Sequence, residues 1–118
     1  IIRMFKKIGS ITAICVLSLL VTACERQKIG DITADPGRFE GKEVSVAGRV
    51  SGLSIGALGT GIYQIDDGTG KLVVLSEKRG APGEGAMVGV KGRIIPTITF
   101  MGKTYVTVLR ETDRRAAD

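Results

Sequence analysis

Gly41-Lys42-Glu43-Val44-Ser45-Val46-Ala47-Gly48-Arg49-Val50 decides the fold class. Val44, Val46 and Val50 alternate with Ser45, Arg49 and Ser51. A period of two puts one set of side chains on one face of a strand, which a helix of about 3.6 residues per turn cannot do. The stretch reads as a half-buried strand. Gly48 stands on the apolar parity, where a missing side chain marks a bend or a close approach of another backbone.

Working outward, the same kind of segment recurs. Ile62 to Asp66 is a second strand, and Asp67-Gly68-Thr69-Gly70 after it is a turn whose glycines supply positive φ. Lys71 to Ser76 is a third, almost continuously apolar strand. Met87 to Ile95 is a fourth, with Val88, Val90 and Ile94 on one parity, and Thr104 to Arg110 is a fifth. The segments between them are expected as loops: Gly52 to Gly61, the Gly- and Pro-rich Glu77 to Gly85, and Pro96 to Gly102, where Met101-Gly102 punctuates a hairpin. Upstream, Ile32 to Gly41 reads as a short helical turn and loop that packs Ile32 and Phe39 onto the strands. Downstream, Glu111 to Asp118 is charged and expected to fray. Five short strands with no long amphipathic helix predict an all-β fold, a small barrel or sandwich.

The runs Gly41-Lys42-x-Val44-x-Val46-x-Gly48-x-Val50, Ile62-Tyr63-x-Ile65-x-Asp67-Gly68-Thr69-Gly70 and Val88-x-Val90-x-Gly92 resemble an OB-fold, as in anticodon-binding-like domains and small periplasmic OB-fold proteins. The resemblance implies a five-stranded barrel over about residues 29 to 111, the domain proper being placed at 32 to 111 and a charged tail at 112 to 118. Ligands of that fold usually lie across strands two and three, between the first-second and fourth-fifth loops. Many such barrels carry a helix between the third and fourth strands; here that connection is glycine and proline.

The first 23 residues have a different character. Arg3, Lys6 and Lys7 precede an apolar run from Ile8 to Leu20, and Met4 is the expected start. At about 1.5 Å per residue the run spans roughly 20 Å, short of the roughly 30 Å of a bilayer core, and fits an export signal. Val21-Thr22-Ala23-Cys24 resembles the lipobox of bacterial lipoproteins. That resemblance implies cleavage before Cys24, acylation of its thiol and new amino terminus, and stable membrane anchoring, with residues 24 to 31 as a lipidated tether. Glu25 is not the aspartate that favours inner-membrane retention in enterobacteria. The expected location is the cell envelope, facing the periplasm, with the outer membrane favoured over the inner.

Of the 17 Lys and Arg residues, three fall in the signal, leaving 14 against 12 acidic residues, a net of +2. That is a weak electrostatic case for nucleic acid. Cys15 leaves with the signal and Cys24 takes the lipid, so no disulfide is available. Histidine is absent, which removes the commonest general base and metal ligand. Asp66 and Asp67 are adjacent and point to opposite faces of a strand, and the turn lacks the spaced carboxylates of a calcium loop. No catalytic residue, metal or cofactor is expected.

Two binding surfaces are expected instead. Leu53, Ile55 and Leu58 in one loop, with Ile98, Phe100 and Met101 in the other, would form an apolar patch at one barrel end for a protein, peptide or lipid contact. Alternatively Ile94, Ile98 and Phe100 form the core face of one long strand. The second surface is basic: Arg49, Lys91 and Arg93 on neighbouring strands, with Tyr105 and Phe100 as stacking platforms, would serve single-stranded nucleic acid. Tyr63 shares the parity of Ile65 and is expected inside. The leading expectation is a non-catalytic binding or accessory module of the envelope, with an envelope protein or peptide as partner and nucleic acid as the alternative.

Overall fold

The computed structural model describes residues 26–117. The expected export signal and the Val21, Thr22, Ala23 and Cys24 motif lie outside the described residues.

Two short helices lead into five strands: α1 (Ile29–Ala34), α2 (Pro36–Phe39), β1 (Glu43–Ala57), β2 (Thr60–Asp66), β3 (Lys71–Ser76), β4 (Met87–Phe100) and β5 (Lys103–Ala116). The strands close into a barrel in the order β1-β2-β3-β5-β4. Every pairing is antiparallel except β3 with β5, where Val73, Val74 and Leu75 run parallel to Val108, Leu109 and Arg110. This is an all-β, OB-fold-like barrel.

The alternation read from β1 holds. Val44, Val46 and Val50 are buried against Tyr63, Ile65, Leu72, Val74, Val88, Val90, Ile94 and Leu109. Fully burying such a side chain contributes about 1.5–3 kcal/mol. One strand serves two neighbours because it bends. Residues 43–49 of β1 pair with β4, while its far half pairs with β2, with a register break between Val50 and Ser54. Gly52 takes φ +87° at that break, and the Gln64 side-chain amide donates to the Ser51 carbonyl at 2.9 Å, holding the bulge. Gly48 is a close approach, as its parity implied: a Cβ there would lie 2.7 Å from the Asp66 carbonyl oxygen.

The loops expected at Gly52–Gly61 and Pro96–Gly102 are corrected. They are long hairpins whose strands run almost to the tips, leaving two-residue turns at Leu58-Gly59 and Met101-Gly102. Both residues of each turn have positive φ, 54° and 83° at the first tip and 51° and 82° at the second. That is the turn geometry whose twist matches flanking strands. The frayed tail is also corrected. Residues 111–116 continue β5, with Lys91 opposite Asp113 and Val88 opposite Ala116. The tether expected through residue 31 is shorter, because Ile29 and Ile32 are buried in the core.

The barrel ends are plugged differently. One end is covered by α1 and α2, whose Ile29, Ile32 and Phe39 join the core; this confirms Ile32 and Phe39 as packing anchors. The other end lacks the helix common in this fold. It is covered by the connection from β3 to β4, with Ala81 and Ala86 packed on the core.

Candidate functional site

The outer barrel surface carries the candidate sites. Directly paired residues share a face, so the ladder shows which side chains line up. Ile55 of β1 sits opposite Ile62, and Ile62 opposite Leu75. One row on, Gln64 pairs with Val73, Val73 with Val108, and Val108 with Ile95. The next row has Val106 opposite Thr97. An apolar stripe therefore runs diagonally over β1, β2, β3, β5 and β4. Its middle is closed, with Ile62 and Val108 buried, while its ends open at Ile55 (40 % exposed) and Val106 (67 % exposed).

Each end leads to a hairpin tip. Leu58 is fully exposed and Met101 is 74 % exposed. Both occupy a left-handed backbone position that an L side chain enters at about 1–2 kcal/mol, and that Gly or Asn fills more readily. Because β1 and β4 are antiparallel neighbours, the tips leave their shared ladder in opposite directions. The single patch expected at one barrel end is thus replaced by a stripe with an apolar tip beyond each end. Ile98 and Phe100 are half-buried within β4, opposite Tyr105 and Lys103.

The structure places Arg49, Lys91 and Arg93 exposed on the outer face of β1 and β4, as their parity implied. Lys91 and Arg93 are two residues apart, while Arg49 lies four rungs from Lys91, roughly 13 Å along the ladder. All three are engaged. Arg49 donates to the Gly85 carbonyl at 3.0 Å and Arg93 to the Gly41 carbonyl at 2.7 Å. Lys91 lies 3.5 Å from the Glu43 carboxylate. Tyr105 is half-buried, and the Lys103 ammonium sits 5.3 Å from its ring centre, occupying the face a base would stack on.

Two constellations escaped the sequence reading. The first is a buried polar cluster at the helix-free barrel end. Tyr63, inside as expected, donates its hydroxyl to Glu111 at 2.5 Å. Ser76 donates to the other Glu111 oxygen at 3.2 Å, and the Arg114 guanidinium lies 3.4 Å from the carboxylate. The Glu111 and Arg114 side chains are only 3 % and 14 % exposed. Arg114 also donates to the Gly80 and Arg79 carbonyls and lies over the Tyr63 ring, 5.4 Å from its centre. Burial, and then the bond to Glu111, push the Tyr63 hydroxyl far above its ordinary range. A cleft of about 300 Å³ opens beside the cluster, lined by Glu77, Lys78, Arg79, Glu111 and Thr112. Two of its charged residues are paired, Glu77 with Arg110 and Arg79 with Asp113. The cluster's role is to seal the barrel end by tying the connecting loop to β5. Nothing in the sequence marked Glu111 and Arg114 off from the charged residues around them.

The second is the Asp67 turn, read from sequence as turn chemistry alone. Asp67 accepts from the Thr69 amide and hydroxyl with one oxygen and from the Ile29 amide with the other, at 2.9 Å. The Thr69 hydroxyl oxygen accepts from the Gly30 amide at 2.9 Å. The turn therefore holds the first residues of α1. Gly30 is required there, since a Cβ would lie 2.6 Å from the Thr69 carbonyl oxygen. Partial burial works to raise the Asp67 carboxyl, but the donors from Ile29 and Thr69 outweigh it and hold the group below its ordinary value.

No family model matches the chain, and no curated protein matches it. Solved structures do match. One is an OBody bound to hen egg-white lysozyme, with 19 % identity, 67 % of this chain and 84 % of that chain covered, and a TM-score of 0.51. At that identity the likeness concerns the fold.

Proposed function

We propose that this chain is a lipoprotein, held in the cell envelope by acylated Cys24 and facing the periplasm, whose barrel is a non-catalytic module that binds a protein or peptide. The observation that carries the binding reading is the pair of hairpin tips. Leu58 and Met101 each combine an exposed apolar side chain with a left-handed backbone. Each is costly for an isolated domain, and an asparagine would relieve both costs; an observed backbone outlier of this kind points to use. The stripe between Ile55 and Val106 supplies apolar area between the tips. The OBody bound to lysozyme is an OB-like barrel with a protein partner, which is compatible with this use. The anchor rests on the basic, apolar and Val21-Thr22-Ala23-Cys24 sequence pattern.

Two experiments test this reading. Cys24→Ser is expected to release the protein from the membrane fraction; retention sinks the anchor. A photo-crosslinker at position 58, read in intact cells against one at Gly83, is expected to give a position-specific protein adduct that Ile55→Asp abolishes. No such adduct, with binding to single-stranded oligonucleotides that falls steeply with salt and is lost on reversing Lys91 and Arg93, would transfer the function to the basic face.

A further inference from the structure

We infer that the outer face of β1 and β4 rests on the membrane, its cations against anionic lipid headgroups, so that the stripe between the hairpins faces away from the lipid. The inference rests on the Cys24 anchor proposed above and adds an orientation to it.

The chain is fixed to the barrel almost as soon as it leaves the anchor. The Gln27 amide donates to the Ser45 carbonyl of β1 at 2.7 Å, and Ile29 is already in the core. Glu25 alone separates Cys24 from Arg26. Two residues span at most about 7 Å, which is within the Debye length of about 8 Å at physiological ionic strength. A barrel tied this closely to an acylated cysteine cannot stand off from the headgroups, and the surface beside residue 26 is the one they meet.

That surface is basic. Arg26 lies across β4: a Cβ built on Gly89 would be 3.6 Å from its guanidinium and 4.0 Å from Cγ of Arg115, so two basic side chains pass close to a residue without a side chain. Lys91 and Arg93 follow Gly89 on the same face of β4, and Arg49 stands opposite Met87. Five cations thus share a face with the carboxylates of Glu43, beside Lys91, and Asp113, beside Arg79. Juxtamembrane cations attract anionic lipid over about one Debye length. The stripe through Val73 and Val108 crosses β2, β3 and β5 and the far halves of β1 and β4, outside the rungs where residues 43–49 of β1 pair with residues 87–93 of β4.

The test uses the processed, acylated full chain in vesicles of phosphatidylcholine, alone or mixed with phosphatidylglycerol. With residues 1–23 removed and Cys24 in thioether linkage, an introduced cysteine is the thiol that takes a fluorophore. Met87→Cys labels the basic face and Val106→Cys the stripe, and nitroxide-headgroup lipid is the quencher. The expected result is several-fold stronger quenching at position 87 than at 106 in the anionic vesicles. The contrast should shrink in high salt and in the Arg26→Glu, Arg115→Glu double variant. Equal quenching at both positions, or a contrast indifferent to salt and to charge reversal, overturns the orientation while leaving the anchor intact. An intact mass without acyl chains on Cys24 overturns the anchor, and the orientation with it.

Discussion

Tyr63 and Glu111 meet inside the barrel at 2.5 Å, the phenol donating to a carboxylate that water scarcely reaches. β2 supplies one partner and β5 the other, so this bond spans two strands that do not pair. Tyr63→Phe removes the donor with little change in shape. A hydrogen bond to a charged group contributes about 1.5–3 kcal/mol, and equilibrium urea unfolding should show a loss of about 2 kcal/mol with an unchanged m value.

The same residue sets an alkaline limit. The folded-state value of Tyr63 is raised above the value of about 10 that it has in an unfolded chain. Its contribution is therefore complete below about pH 10 and is lost as pH rises beyond it toward the folded value. Unfolding midpoints followed across the alkaline range should fall for the parent protein. The Tyr63→Phe variant should fall less steeply, and parallel slopes would contradict the assignment.

Arg114→Met removes a cation and leaves Glu111 buried with Tyr63 and Ser76. Breaking a buried pair from one side costs about 3–5 kcal/mol, and the loop carbonyls of Arg79 and Gly80 lose their donor as well. The expected loss is about 3 kcal/mol, with faster hydrogen exchange across residues 77–86. In a cycle with Glu111→Gln, the double variant should be less destabilised than the two single losses added together.

Asp67 governs the acid side. Its folded value is depressed, so its contribution is present above the unfolded value of about 3.9 and is lost as pH falls through the lower folded value. The group is half-buried under the start of α1, and the effect is local: α1 loosens before the barrel opens. Asp67→Ala should cost about 1 kcal/mol and raise amide exchange at Ile29 and Gly30 selectively. Uniform exchange across the domain would contradict the anchoring role.

Leu58→Asn separates stability from use. Asparagine tolerates the left-handed position and removes an exposed apolar group. The variant should gain about 1 kcal/mol in thermal or urea unfolding while losing crosslinked partner at the β1–β2 tip. A gain in stability with undiminished crosslinking would remove Leu58 from the binding surface.

The barrel was legible in the sequence because its information is local. The parity of Val44, Val46 and Val50, the Asp67-Gly68-Thr69-Gly70 turn and the spacing of five strands survive without knowledge of the partners. Tyr63 was placed inside from its parity with Ile65. Strand lengths were not legible. Gly52, Gly56 and Gly59 imitate a loop, yet the hairpin they belong to gains its register from Ile55 opposite Ile62, a pairing decided across the ladder. The tail failed for a related reason: Glu111 and Arg114 are ordinary surface residues by composition, and their burial is made tolerable by each other, by Tyr63 and Ser76, and by the Arg79 and Gly80 carbonyls. Of the candidate sites, the faces of Arg49, Lys91 and Arg93 followed from parity, while Arg26 and Arg115 over Gly89 required the fold.

The parallel pairing of β3 with β5 also bears on the order of assembly. Ser76 and Glu111 lie 35 residues apart, and β5 borders both β3 and β4. Without β5 the other four strands have two open edges and no seal beside Tyr63. The barrel thus cannot close until β5 is in place, because that strand completes the ring between β3 and β4. Such non-local topology folds slowly, on the order of milliseconds to seconds.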